Sequence, residues 1–224
     1  MPFTIAMDGP VGAGKSSVAD AVARELGILH LDTGAMYRSV GLSALKHGLS
    51  LQDEAAVTAL CAQLSMEVHY VNGSQQTIVD GEDVTGLIRT PEVSMAASAV
   101  GTMGGVRKCM VALQQKLAAQ TSMLLDGRDI GTVVLPNASL KIYLTASPEE
   151  RAMRRWKELQ AKGAPDSYEQ VLSDLIRRDD QDMNRPIDPL RPAEDAVTLD
   201  TTGMGFEAVV EAIVTMARER MAAL

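Results

Sequence analysis

Residues 9–16 read Gly-Pro-Val-Gly-Ala-Gly-Lys-Ser, directly after a short apolar run and directly before an amphipathic pattern. No other feature limits the possible folds as strongly. Phe3 to Met7 is a compact apolar run stopped by Asp8-Gly9-Pro10, which reads as a buried parallel strand. A helix starts near Lys15, with Val18, Val22 and Leu26 on one face and Gly27 as its stop. The segment fits G-x-x-x-x-G-K-[ST], in which successive N–H groups turn inward onto phosphate oxygens. The positive end of the following helix adds to that attraction. Gly9, Pro10, Val11, Gly12, Ala13, Gly14, Lys15, Ser16 and Ser17 are the expected ATP-phosphate cradle. Lys15 reaches the β- and γ-phosphates, and the Ser16 hydroxyl ligates Mg²⁺. A chance glycine-rich turn matches the same pattern but lacks the strand before it and the helix after it.

Ile28 to Leu31 reads as a second strand ending at Asp32-Thr33-Gly34, with helices over about 35–47 and 54–64. Met66, Val68 and Tyr70 then alternate with polar residues, Asn72-Gly73 is a tight-turn signal, and Thr77 and Val79 alternate again. A small antiparallel insertion over 65–90 is expected. Helical character runs from Glu92 to Gln120, and short strands are expected at 123–125, 140–144 and 197–199. Ser147-Pro148-Glu149-Glu150 and Ser167 with Gln170 have capping-box spacing. The last helix carries Phe206, Val209, Val210, Ile213 and Val214 on one face. Strands alternating with helices imply an α/β fold: one domain over 1–224, a five-stranded parallel sheet with helices on both faces.

The net charge of −8 argues against a general nucleic-acid binder, which is usually basic, and for a small ligand gripped by local positive charge. Cys61 and Cys109 match neither a zinc spacing nor a disulfide framework, so buried free thiols in a reducing cytoplasm are expected. No basic region precedes the first apolar run and no stretch approaches membrane-spanning length, so a soluble monomer without membrane contact is expected.

A guanine-reading N-K-x-D is missing, and Asp83-Val84-Thr85-Gly86 matches D-x-x-G only inside the insertion. The chain is short for a motor, which leaves a small-molecule kinase. In open parallel sheets ligands gather at the C-terminal strand ends. Those ends carry the phosphate loop, Asp32 to Arg38, and Asp126-Gly127-Arg128-Asp129-Ile130-Gly131-Thr132. Asp126 could serve the Mg²⁺ shell, or simply cap a turn. Arg38, Arg107 and Arg128 are candidates to grip an acceptor phosphate through their planar forks, although Arg107 lies mid-helix beside Lys108.

Seven of the fourteen arginines fall between 151 and 191. Arg151, Arg154 and Arg155 share a helix face, as do Arg178, Asp182 and Arg185. Glu150, Arg154 and Glu158 could form an ordinary ladder of i, i+4 pairs. Alternatively, both groups belong to a mobile arginine-rich lid over 148–185 that closes on the transferring phosphoryl group. Lys15, Arg128, Arg155 and Arg178 are then the catalytic candidates. His30, His47 and His69 show no catalytic spacing and read as structural. A phosphate acceptor, with a second pKa near ~6, needs no general base, so the missing base favours such an acceptor.

These segments together resemble the bacterial cytidylate kinases over nearly the whole chain. The matching stretches are Asp8 with the phosphate loop, Leu31 to Arg38, Ile88-Arg89-Thr90-Pro91-Glu92-Val93, Ala97-Ser98, Val106-Arg107, Asp126 to Thr132, and Arg177-Arg178-Asp179-Asp180 with Asp182 and Arg185. The resemblance implies transfer from ATP to CMP, and to dCMP, with Mg²⁺. It implies that Ser98, Arg107 and Asp129 read the cytosine. Thr33, Tyr37, Arg38 and Arg128 would hold the acceptor phosphate side, and Arg178, Asp182 and Arg185 the ribose and phosphates. The insertion would move with the monophosphate-binding region. Asp129 has its own rationale, since a carboxylate accepts from the cytosine N4 amino group and repels the uracil carbonyl. Gly101 to Gly105 departs from the family pattern, which has proline just before Val-Arg. A UMP, AMP or shikimate kinase shares the phosphate loop and lid, and a non-catalytic nucleotide-binding module shares the loop alone.

Overall fold

A computed structural model describes residues 2–71, 73–161 and 163–223. In chain order the elements begin with β1 (Thr4–Asp8), α1 (Lys15–Leu26), β2 (Leu29–Asp32), α2 (Thr33–Lys46) and α3 (Glu54–Gln63). Next come β3 (Met66–Val71), β4 (Ser74–Val79), β5 (Glu82–Asp83), α4 (Pro91–Val100) and α5 (Gly104–Ala118). The chain ends with β6 (Met123–Gly127), β7 (Leu140–Thr145), α6 (Pro148–Ala161), α7 (Tyr168–Asn184), β8 (Val197–Asp200) and α8 (Phe206–Ala222).

The main sheet is fully parallel, in the order β2-β6-β1-β7-β8. Its central strands are apolar on both faces because helices cover both, so Ile5, Met7, Leu124 and Leu125 are wholly buried. One layer packs α1 and α8 on the sheet through Val18, Val22, Ile213 and Val214. The other packs α2, α3 and α5 through Met36, Val40, Val57 and Val106. The register aligns Asp8 with Gly127 and Asp32 with Asp126, so three strands end on one edge.

β3, β4 and β5 form a separate antiparallel sheet at the expected insertion. The turn signal there includes Asn72, which lies outside the described residues. Gln75 ties this sheet to the main one by accepting from the Asp32 amide at 2.8 Å.

Two local expectations are corrected. The helix expected over 92–120 is two helices, α4 and α5, broken at 101–103. Glycine at 104 and 105 is a poor helix former. Gly105 also lies so close to α3 that a Cβ there would meet the Thr58 side chain at 2.4 Å. Ser147 makes only half of its capping box: it accepts from the Glu150 amide at 3.2 Å, while the Glu150 carboxylate turns to Arg154. The Ser167–Gln170 box is complete.

Antiparallel α6 and α7 pack on each other through Ala152, Val171 and Leu175, with Trp156 and Leu159 alongside. Arg151 fastens their base to the phosphate loop and is 3% exposed. It donates to Val11 O at 2.8 Å, Ala146 O at 2.9 Å and Asp179 Oδ2 at 2.7 Å. The other Asp179 oxygen accepts from the Val11 amide at 3.2 Å. Arg151 is therefore a brace beneath the loop, not part of a lid face with Arg154 and Arg155. Arg151→Ala strands the buried Asp179 carboxylate and should lower unfolding free energy by about 3–5 kcal/mol in urea titrations. Removing Asp179 as well should cost clearly less than the two single losses summed; strict additivity would dissolve the brace.

Candidate functional site

The phosphate loop begins where β1 meets the backbone of β7. A Cβ on Gly9 would sit 2.0 Å from the Leu144 carbonyl oxygen, so only glycine passes there. Gly14 caps α1 in a left-handed conformation, and Lys15 opens the helix. The Lys15 ammonium is buried and folds back on the loop, donating to Gly9 O at 2.7 Å and Pro10 O at 2.8 Å. Burial pushes its pKa down to about 7, helped by the Arg128 charge and opposed by Asp126, Asp8 and Asp182.

Asp8, at the end of β1, is buried and joins this loop to the next. Its two oxygens accept from the Ile130 and Gly131 amides, each at 2.7 Å. Burial lifts its pKa to about 6 against those bonds. The chain after β6 is thereby held as a single wide turn over Ile130–Val134.

A cleft of about 630 Å³ opens over these strand ends. Val11 to Ser17 line it, while Gly9 and Pro10 lie behind. Thr33, Tyr37, Arg38, Ser98, Arg107, Asp126, Arg128 and Asp129 line it too. So do Arg155, Arg178, Asp182 and Arg185, which the sequence assigns to the lid and the ribose side. Arg107 is part of this wall and is not mid-helix as expected: the break at 101–103 puts it in the first turn of α5, which presents it inward with 2% exposure. The glycine-rich stretch before it leaves that placement intact.

Most of the cations are held by carboxylates. Arg38 donates to Asp32 Oδ2 at 2.7 Å, and its Nε has no hydrogen-bond partner among the described residues. Arg128 donates to Asp182 Oδ2 at 2.7 Å. Arg107 donates to Asp129 and to Asp188 Oδ2, the latter at 2.7 Å, and its guanidinium lies 5.9 Å from the Tyr37 ring centre. Arg185 donates to Asp129 Oδ1 at 3.1 Å. Arg178 has no carboxylate within ion-pair distance among the described residues, and burial followed by the Arg128 charge lowers its pKa. Arg155 is exposed and pairs with Glu158 at 3.0 Å.

Ser16 Oγ donates to Asp126 Oδ2 at 2.9 Å. The other Asp126 oxygen accepts from His30 Nε2 at 2.8 Å, and His30 Nδ1 donates to Asp20. Burial works against the His30 charge, but hydrogen bonds to Asp126 and Asp20 raise its pKa to about 10. Burial likewise works against ionised Asp126, yet the His30 hydrogen bond and charge, with Lys15, hold it below the usual carboxylate range. Asp126 thus does more than cap a turn. His30 keeps the structural role expected of it, but toward a site residue.

The sequence reading gave Asp32, Arg89 and Ser94 no binding role, and placed Arg154 and Glu158 only in the lid-or-ladder group, yet all five line the cleft. Asp32, first residue of the loop that carries Arg38, was the one open to inference. Arg154 is anchored to Glu150 and to Thr201, at 2.9 Å to the Thr201 carbonyl, so the expected ladder is only half formed, because Glu158 pairs with Arg155 instead. Cys61 and Cys109, distant in sequence, are neighbours between α3 and α5; burial, then the Cys109 thiol beside it, pushes Cys61 up to about 12. Cys109 is half-buried instead of buried.

A parallel sheet with a phosphate loop and an arginine-walled cleft at its strand ends defines a phosphate-loop kinase of small molecules. The family model described as "Cytidylate kinase" matches residues 5–219. The chain is 48% identical to a protein named cytidylate kinase from Caldicellulosiruptor bescii, over 96% of this chain and 95% of that one. It is 48% identical to a cytidylate kinase from Carboxydothermus hydrogenoformans, over 92% and 93%. A solved structure described as an uncharacterized protein from Eubacterium ventriosum shares the fold, with a TM-score of 0.55 and 9% identity over 96% and 98%. The chain belongs to the cytidylate kinase family.

Lys15 supplies a test of the cradle. A triphosphate beside it restores the charged form, so binding between pH 7 and the ordinary lysine range should take up a proton. Below pH 7 the ammonium is already charged and the effect should fade. Calorimetry of ATP binding at about pH 8, in two buffers of different ionisation enthalpy, should give an uptake approaching one proton. Identical heats in both buffers would reject it.

Proposed function

We propose that this chain, an ATP-dependent cytidylate kinase, moves the γ-phosphoryl group by direct in-line displacement and also accepts dCMP. An oxygen of the acceptor phosphate forms a bond to the γ-phosphorus. The bond from that phosphorus to the β-bridging oxygen breaks, and ADP leaves with the electron pair. The acceptor oxygen is already ionised, so no side chain needs to remove a proton. The observation that carries this reading is one cleft holding the phosphate loop, the 32–38 loop and the 126–129 loop together.

Val11 to Ser17 bind the donor phosphates on backbone amides. Lys15, Arg128, Arg155 and Arg178 offset the charge on the transferring group. Arg178 supports this by standing on the cleft without a carboxylate partner. Thr33, Tyr37, Arg38 and Arg128 hold the acceptor side, and all four line the cleft. Ser98, Arg107 and Asp129 face the cytosine, and Asp182 and Arg185 the ribose and phosphates.

Ser16 and Asp126 fit a Mg²⁺ ion: a hydroxyl and an ionised carboxylate, 2.9 Å apart, are hard oxygen donors beside the phosphate loop. When bound, the ion would neutralise charge on the donor phosphate oxygens. The protein's share is to keep those two oxygens oriented.

Helices α6 and α7, within 148–185, act as a lid that excludes water, and the small sheet at 65–90 moves with the acceptor region through Gln75. Both belong to a single domain over 1–224. No described helix is long and apolar enough to cross a membrane. The acidic net charge and two free thiols support a monomer in the cytoplasm with small-molecule partners and no nucleic acid.

ADP release from Mg-ATP, with CMP, dCMP, UMP, AMP and shikimate offered separately, should be fastest with CMP. Asp129→Ala should lower the CMP-to-UMP ratio of kcat/KM about 5–100-fold, the worth of one good base contact. Equal kcat/KM for CMP and UMP in the parent would remove Asp129 from base reading. Tight ATP binding with no turnover on any acceptor would defeat the kinase assignment.

A further inference from the structure

We propose that Asp188, outside the cleft wall, is a specificity-positioning residue that orients Arg107 for the acceptor base. The inference rests on the reading of Arg107 and Asp129 as base contacts. Asp188 follows α7 in the sequence Arg185-Pro186-Ile187-Asp188-Pro189. Its φ is +48°, in the left-handed region that few non-glycine residues adopt, aspartate more readily than most. The following proline restricts it further.

Two contacts explain why it is held there. Its side-chain Oδ2 accepts from Arg107 Nε at 2.7 Å. Its carbonyl oxygen accepts from Arg185, at 2.7 Å from Nε and again from Nη2. Both arginines also donate to Asp129, so one residue fixes the pair that frames the base-facing carboxylate.

The consequence lies in which Arg107 hydrogens remain free. Nε is taken by Asp188 and Nη2 by Asp129, while Nη1 has only a 3.5 Å contact with Gly101 O. The guanidinium is therefore turned with its Nη1 edge available. Cytosine offers two acceptors there, N3 and O2; uracil carries a hydrogen on N3 instead. Asp188 sharpens that discrimination by preventing rotation of the fork, because its bond to Nε, with that of Asp129 to Nη2, fixes the tilt while leaving Nη1 free.

Asp188→Gly removes the carboxylate while keeping the left-handed backbone and its carbonyl. KM for CMP should rise about tenfold, the loss of one charge-assisted hydrogen bond, with KM for ATP and kcat at saturating CMP within about twofold. The CMP-to-UMP ratio of kcat/KM should fall about fivefold, and Asp188→Asn, which keeps an acceptor oxygen, should recover most of both. Should the glycine variant fail to fold, Asp188→Ser, too short to reach Nε, carries the same expectation. Arg107→Met is assayed alongside. If it lowers the CMP-to-UMP ratio and the Asp188 variants leave KM and ratio at parent values, the positioning role is overturned alone. If Arg107→Met leaves the ratio unchanged, the base-contact reading falls and takes this inference with it.

Discussion

Cations gathered to receive a polyanion repel one another until it arrives, and the cleft of this protein is organised around that repulsion. Two like charges 4 Å apart at an effective dielectric of 20 interact by about 4 kcal/mol. Arg38, Arg107, Arg128 and Arg185 are each set against a carboxylate from the same cleft or its margin. Lys15 rests on two carbonyls, and burial lowers its pKa to about 7. The acidic residues that give the chain its net charge of −8 thus include the partners that keep its cationic cleft folded. On the proposed reading, a phosphate entering the site would replace a carboxylate with a stronger, multivalent acceptor, so binding would exchange partners and need not create the charged wall anew.

That exchange is possible because the sheet sets the spacing. β1 lies between β6 and β7, and β6 lies between β1 and β2, so the phosphate loop, the 126–129 loop and the 32–38 loop are neighbours by register alone. Asp8 reinforces this with two buried hydrogen bonds that fix the chain after Asp129. Thr33 adds another, its hydroxyl donating to the Asp126 carbonyl at 2.7 Å. Rigid strand ends hold the groups that must meet at the reacting atoms, and helices further out supply the rest.

What was legible in the sequence follows from how local each signal is. The strand, phosphate loop and first helix are contiguous, and their glycines and apolar spacing specify them without help from the rest of the chain. The central strands were legible because fully buried strands are continuous apolar runs ended by turn residues, whereas β8 at the sheet edge was read from its apolar residues although it is mostly exposed. The break between α4 and α5 was not, since residues 101–103 sit between two stretches that both carry helical apolar spacing. Arg151 and Arg155 occupy one face by spacing alone, yet only the position of Asp179 decides that the first is a buried brace. The link from His30 to Asp126 joins residues 96 apart, and no periodicity reports it. Asp188 carried no signal either, because a left-handed aspartate before proline runs against local preference.

The brace bears on how a lid can work here. Arg151 and Asp179 bind the base of the α6–α7 hairpin to Val11, a member of the phosphate loop itself. Arg155 lies one helical turn beyond Arg151, and Arg178 immediately precedes Asp179. Motion of the hairpin tip therefore displaces these two arginines far less than it displaces the tip, since a turn of helix is only about 5.4 Å long. The hairpin has a small apolar core of its own, from Ala152, Val171 and Leu175, so in the proposed lid it would move as a unit about this anchor. In the proposed lid, such a hinge would let the tip admit and exclude water while the cations stay within reach of the phosphates. A lid anchored at its far end would instead carry its arginines away on every opening, and the cleft would lose the charge that draws its ligands in.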